Sequence, residues 1–374
     1  MSKSESLVLN SVPPHLPLSG KSPLAFVGEA PGADEIRKGE PFVGKAGGEF
    51  NRWLRHSGLT RSEHLISNVF KYKPVQNKID TFFFKKKVYA KLKEEYGWGP
   101  SVLPYNSTHG YVIPERVDDI HKLREELRAA KTEVVIGMGA TALWAFTGLT
   151  KITQHRGTVF RSEYFDNIKF VPTFHPSYIM RGNFDSRIFV MADIRKALAE
   201  VGHEEIHHTT REIWTEPRLI DLYKFRDEFI APLPDSSEIA IDIETGHDQI
   251  TCVGLAPSND RAIVCPFWDD SASDKSYWTY PRAEVEAWLW LKGILENPRY
   301  KFVAHNGSYD FIWLKERMGI TVSTPYTDTM HMHHAMQPEL PKALGVLGSL
   351  YTNESSWKHL VSHSIEQRGN KRDE

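Results

Sequence analysis

The 374-residue chain predicts an α/β protein made of two successive domains. Three observations carry that expectation. Apolar runs of strand length alternate with segments of helical periodicity from Leu24 onward. The alternation lapses around His203 to Arg211, in the polar stretch HEEIHHTTR. A second series then starts at SEIAIDIETG and runs through ITCVGLA, RAIVCPFW and KFVAHNGSYDFIWL. Such alternation marks a mostly parallel sheet covered by helices, and it puts ligands at the carboxyl ends of the strands.

The elements follow in order. Residues 1–22 are polar and proline-containing and read as a flexible arm. Leu24 to Val27 is a buried strand, and Gly47 to His56 a helix. HLISNVFKYKP is a strand ending near Asn68. From Glu115 to Lys131 the spacing lays Val117, Ile120, Leu123 and Leu127 on one helical face. EVVIGMG is a strand entering a glycine turn, and FVPTFHPS a strand that breaks at Pro176. The division is an arm over 1–22, a first domain over 23–202, a linker over 203–213 and a second domain over 214–374. Glu29, Asn68 and His175 all fall at strand ends.

Composition narrows the partners. No apolar run reaches the about 18 residues of a membrane span, and the N-terminus lacks a secretory pattern. A cytoplasmic protein without membrane contact is expected. Cys252 and Cys265 form neither a disulfide framework nor a metal-ligand spacing. A net charge of −2 carries no global hint of nucleic acid. One stretch is locally basic: from Lys71 to Lys93 stand eight lysines against Asp80 alone, interleaved with Tyr72, Phe82, Phe83, Phe84 and Tyr89. Two readings stay open there, phosphate contact with base stacking, or a solvated lysine face with its aromatics in the core. His203, Glu204 and His207 match H-E-x-x-H formally, but their flanks are polar and sit at a domain junction. His331, His333 and His334 lack the i, i+4 spacing. Neither cluster is taken as a metal site.

The stretch LAFVGEAPGADEIRKGEPFVGKAGG excludes two phosphate motifs. Gly28 and Gly32 lack the G-x-G-x-x-G spacing, and Gly44-Lys45 is followed by Ala46, where a P-loop needs Ser or Thr. What remains is a chemical set. Glu29 can orient or activate a water. Phe42 can stack on a flat ring, and Asn68 offers a donor and an acceptor together. His175 can donate to a developing anion. This is a toolkit for a flipped base whose bond to sugar is to be broken.

These residues lie in blocks that resemble the uracil-DNA glycosylase superfamily, its thermostable family 4 branch above all: GEAPGADE…GEPFVGKAGG, ISNVFKYKP, VIGMGATAL, ITQHRG and VPTFHPSYIMRG. The resemblance spans roughly residues 23 to 200. It implies a three-layer α/β/α fold and removal of uracil from single- or double-stranded DNA. By the same resemblance Glu29 activates water, His175 stabilises the leaving anion, and Gly28, Gly32, Phe42 and Asn68 bind the base. Arg156, Ser177, Tyr178, Met180 and Arg181 would meet DNA, with Tyr178, Ile179 and Met180 in a loop that wedges into the base stack. The family's iron–sulfur cysteines are missing. Tyr72 occupies one of their places, and a longer basic insertion, roughly Asn77 to Ile113, follows. No iron–sulfur cluster and no cofactor are expected for the glycosylase.

In the second domain, Asp242 and Glu244 of AIDIETG sit two apart on a strand and share a face. Asp310 follows Asn306 at a strand-to-helix passage. Three converging carboxylates suit two hard cations, magnesium or manganese, and phosphodiester hydrolysis. The pattern resembles the first two motifs of DEDD-type 3′–5′ exonucleases, in the form found in phage family A DNA polymerases, and implies an RNase H-like α/β domain. Beyond Trp357 the third motif fails, since Asp373 has no matching context. The expectation is an incomplete exonuclease domain and a polymerase body encoded separately, in a bacterial or phage-infected cell. A uracil-sensing module of a replication polymerase, without catalysis, is the alternative.

Overall fold

The computed structural model describes residues 11–96, 105–207, 210–323 and 326–354. It divides into two compact units, Met1–His207 with Gly345–Glu374, and His208–Leu344. The compact units cut across the expected second domain of 214–374 near its end. The helix Leu344–Tyr351 groups with the first unit, where Arg156 Nη1 donates to Ser349 Oγ at 2.9 Å and Lys196 Nζ reaches the Glu354 carbonyl at 3.4 Å.

The first unit is built on β1 (Leu24–Gly28), β2 (Leu65–Asn68), β3 (Val134–Met138), β4 (Phe160–Ser162) and β5 (Ile168–Thr173). Their order is β2-β1-β3-β5-β4, parallel except for β4 against β5. β1, β2 and β3 are buried along their whole length, as strands covered on both faces must be. Ala25, Val27 and Val135 face a core shared with Leu123, Leu127 and Phe146. Phe26 points the other way and meets Phe50 edge-on at 5.1 Å. Phe50 belongs to the helix Lys45–His56, so helices cover both faces. From β1 the chain passes to β2 on one side, and β3 then adds on the other. The crevice at that reversal is where an open α/β sheet takes its ligand.

Residues 11–22, expected as a loose arm, are tied down. His15 pairs with Ile66 of β2, Val12 N donates to the Lys71 carbonyl at 2.8 Å, and the Val12 side chain is buried. Residues 1–10 lie outside the described residues.

The insertion carries a helix, Lys86–Tyr96, and a three-stranded sheet of Phe83–Phe84, Gly110–Val112 and Tyr105–Asn106. Its aromatics turn inward. Phe82, Phe83 and Tyr89 are buried, Phe83 against Trp144 at 5.6 Å and Tyr89 stacked on Tyr111 at 3.7 Å. Lys78, Lys85, Lys86, Lys87 and Lys91 face solvent. Buried Phe82, Phe83 and Tyr89 thus offer no stacking face, while the lysines stay open to solvent. Lys71 is the exception. Buried at the end of β2, it donates to Ser67 Oγ and Glu126 Oε2, each at 2.6 Å, and to the Asn68 carbonyl at 3.0 Å. Beside it the Arg116 guanidinium lies 3.7 Å from the centre of the Tyr72 ring and pairs with buried Asp119 at 3.2 Å.

The second unit holds β6 (Glu212–Trp214), β7 (Glu238–Gly246), β8 (Gln249–Ala256), β9 (Arg261–Pro266), β10 (Lys301–Ala304) and β11 (Thr327–Asp328). The order is β11-β10-β7-β8-β9-β6, with β8 antiparallel to both its neighbours. Ile239, Ile241 and Ile243 bury one face of β7. The expected linker thus ends in a strand, as Glu212 and Ile213 pair with β9. Among the described residues no helix is long and apolar enough to cross a membrane.

Removing one partner of a buried ion pair strands the other charge. Arg116→Ala should therefore lower unfolding stability by about 3 kcal/mol, read from urea midpoints. Asp119→Asn made on that background should recover part of the loss.

Candidate active site

One cavity of about 530 Å³ opens at the carboxyl edge of the first sheet, and the strand-end residues meet in it. Glu29 follows β1, Asn68 ends β2, Gly139 and Ala140 follow β3, and Phe174 and His175 follow β5. Gly32, Phe42, Ser177, Tyr178 and Arg181 line it too.

Its floor is made by close approach. A side chain on Gly28 would stand 2.4 Å from the Phe42 ring and 2.6 Å from Asn68 Oδ1. The backbone of Phe42 is left-handed, with φ of 53°, a costly conformation for a bulky residue. Two contacts hold it. Gly47 leaves room for the Phe42 carbonyl, which would lie 2.0 Å from a Cβ at that position. Arg61 donates to the carbonyls of both Pro41 and Phe42 and pairs with Glu40 at 3.3 Å. Motif reading did not single out Arg61. A lone arginine at the start of a short 3₁₀ turn carries no local signal.

Asn68 is only 5% exposed, and its Oδ1 has no hydrogen-bond partner in the protein. A buried amide oxygen left open is costly and asks for a ligand donor. Two carboxylates reach the cavity and differ in employment. Glu35 accepts from Gly32 N at 3.1 Å and from Gly44 N at 3.4 Å, so it braces the two glycine loops. Glu29 accepts from the Thr141 hydroxyl, a partner the sequence pattern did not reveal.

His175 caps the short helix Pro176–Met180, accepting at Nδ1 from Ser177 N at 3.1 Å. Nε2 therefore carries the proton when the ring is neutral. Burial, helped by the positive charge of Arg181, pulls its pKa down to about 4, so the neutral ring is the form present near pH 7. The Phe42 and His175 rings lie 5.8 Å apart.

The residues expected to meet DNA divide. Met180 is 38% exposed and Arg181 is exposed, while Tyr178 stacks on Phe174 at 4.7 Å. Ile179 is fully buried and cannot wedge into a base stack as expected. Arg156 is also a correction. It is buried, bonded to both Asp193 oxygens and to Ser349, and so holds the core rather than a phosphate. Desolvating a guanidinium demands such a full set of acceptors, and Asp193 supplies it.

In the second unit Asp242 and Glu244 do share the exposed face of β7. Asp310 is buried and accepts from Ile243 N at 2.9 Å, tying the helix Gly307–Met318 to that strand. Its pKa is raised by burial, with Glu244 and Asp328 adding to the effect. Among the described residues no group of three or more His, Cys, Asp or Glu side chains stands ready to hold a metal ion. Asp310 lends its Oδ1 to that backbone contact, while Asp242 and Glu244 lie on the exposed face of the same strand. The third-motif region around Trp357 and Asp373 lies outside the described residues.

Residues 16–199 match the family model of the uracil DNA glycosylase superfamily. The type-4 uracil-DNA glycosylase of Thermotoga maritima is 32% identical over 184 residues, 48% of this chain and 79% of that enzyme. The chain belongs to the uracil-DNA glycosylase superfamily. The type-4 enzyme of Archaeoglobus fulgidus is 29% identical over 167 residues, 43% of this chain and 68% of its own. Behind the glycosylase domain, residues 217–372 match the family model of a 3′–5′ exonuclease. A DNA polymerase of Bacillus phage SP01 is 22% identical over 346 residues, 84% of this chain but a third, 33%, of that polymerase. The chain is thus a glycosylase-superfamily domain followed by an exonuclease-family domain.

The lowered pKa of His175 has a consequence for stability. Between about 4 and the ordinary 6.5, the unfolded chain binds a proton that the folded one refuses. The resulting stability is complete above 6.5 and is lost as pH falls towards 4. The urea midpoint should therefore drop between pH 7 and pH 5 by more in the native protein than in His175→Gln. Equal drops would show that this ring titrates normally.

Proposed function

We propose that the cavity of the first unit hydrolyses the N-glycosidic bond of deoxyuridine in DNA, and that the glycosylase is active in this chain. The observation that carries the reading is the open Oδ1 of buried Asn68, set in one cavity with Glu29, Phe42 and His175. Uracil presents N3–H and O4 to such an amide, a donor and an acceptor that match Oδ1 and Nδ2. Cytosine presents the reverse pattern and would leave buried groups unpaired, a large penalty. Phe42 supplies the stacking face, and Gly28 the room for base and ring to approach.

The chemistry follows from the charges. As the bond between the sugar C1′ and uracil N1 breaks, its electron pair leaves with the base, and positive charge grows on the sugar. The Nε2–H of neutral His175 donates to uracil O2 and holds that anion. Glu29 faces the sugar, offsets its positive charge and takes a proton from the water whose oxygen bonds to C1′. That proton finally leaves with uracil. Gly32 keeps the Glu35 loop close, and Ser177 fixes the tautomer of His175. Tyr178, Met180 and Arg181 face the strand that carries the flipped base.

The polymerase context is a further part of the reading, supported by the alignment with the phage polymerase. DNA is the partner in this reading. Asp242, Glu244 and Asp310 are the residues that would hold divalent cations in the exonuclease-family domain, and such cations would supply Lewis-acid chemistry for phosphodiester hydrolysis.

A 5′-labelled single strand with one deoxyuridine, treated with the protein in EDTA and then with alkali, should be cut at the uracil alone. Glu29→Gln and His175→Ala should each slow single-turnover excision by about 10² or more while leaving DNA binding nearly intact. Tight binding with no cut by the native protein would favour a uracil-sensing module instead. Magnesium added to a uracil-free control tests the second domain separately.

A further inference from the structure

Thr141 sits in the first turn of the helix Ala140–Thr147 and is 4% exposed. Its hydroxyl donates to Oε2 of Glu29, across 112 residues of chain. The same helix shows the ordinary alternative. Thr147 returns its proton to the carbonyl one turn back, Leu143 O at 2.7 Å, as hydroxyls within helices do. Thr141 gives its proton to the cavity carboxylate instead. Glu29 has backbone support as well, because Phe70 N donates to the Glu29 carbonyl at 3.0 Å, so both ends of the residue are held. The neighbours of Thr141 reinforce the placement. Gly139 and Ala140 line the cavity, and Gly139 abuts the Cβ of His175. The turn that delivers the hydroxyl to Glu29 therefore runs beside His175, with little room for a side chain on Gly139.

We propose that Thr141 is a positioning residue for the glycosylase reaction: its hydroxyl holds one oxygen of Glu29, leaving the other aimed at the attacking water. The inference rests on the role assigned to Glu29 above. A carboxylate on a freely rotating side chain spreads over several rotamers, and one fixed oxygen removes most of them. Misplacing a reacting group by about 1 Å can cost about 10² in rate. The hydroxyl should matter to the chemical step and not to uracil binding, because Asn68 and Phe42 make the contacts to the base.

The test is single-turnover excision of deoxyuridine from a labelled oligonucleotide, with the dissociation constant measured on the same strand. Thr141→Val keeps the shape and removes the donor, and Thr141→Ser keeps the donor. Expected are a loss of about 10- to 100-fold in rate for Thr141→Val with unchanged binding, and a rate within about threefold of native for Thr141→Ser. In the Glu29→Gln background Thr141→Val should cost nothing further, since it acts through Glu29. Native rates in Thr141→Val, an equal loss in Thr141→Ser, or a loss that appears in binding alone would each overturn the proposal. If Glu29→Gln itself excises uracil normally, the underlying assignment of Glu29 fails; if it is inactive while Thr141→Val is normal, only the role of Thr141 fails.

Discussion

The pocket depends on the absence of a side chain at Gly28. The Phe42 ring and the Asn68 amide both occupy the space where a Cβ would go. Gly28 ends a strand paired on both sides, to Asn68 across β2 and, through Val27, to Gly137 across β3. The sheet cannot shift to relieve a clash there without breaking its register. Stacking face, amide edge and strand end are therefore fixed by one constraint. They also meet at the reversal of strand order, where an open sheet leaves a crevice.

Holding Phe42 in place needs more than that vacancy. Its left-handed backbone persists because Arg61 grips the two carbonyls of the loop and Gly47 admits one of them. Strain of this kind is kept where the surroundings over-determine it, and it collects at sites that must be pre-organised. Arg61 is itself braced by Glu40, which also bonds to His15 in the N-terminal segment. The N-terminal segment is thus joined to the Phe42 loop by a chain of polar contacts.

The charged groups are divided by employment rather than by type. Glu35 closes loops, while Glu29 is held by one hydroxyl at the cavity. Arg156 and Asp193 neutralise each other in the core, and Thr173 donates to that aspartate two residues before His175. Lys71 does the same with Glu126 and fastens the carbonyl of Asn68. Buried charge in this unit is structural support placed just behind the residues that line the cavity. At the place where the resemblance would put a cluster cysteine, a stacked pair of Tyr72 and Arg116 now stands.

The sequence by itself determined the sheet and the residues at its edge. Period-two and continuous apolar runs located β1, β2, β3 and β5, and chemistry at a strand end can be read one residue at a time. Glu29, Asn68 and His175 were legible for that reason, and so was the shared face of Asp242 and Glu244. Only the tertiary structure decided which polar groups were already taken. Arg156 looked like a phosphate ligand until Asp193 and Ser349 stood around it. Ile179 looked like a wedge until the fold buried it, and nothing local showed that Ile243 N would share Asp310. Arg61 lies in none of the motifs, and Thr141 stands inside VIGMGATAL with nothing local to mark its role. A hydrogen bond between residues distant in the chain has no local period, so it becomes visible only when the fold brings donor and acceptor together.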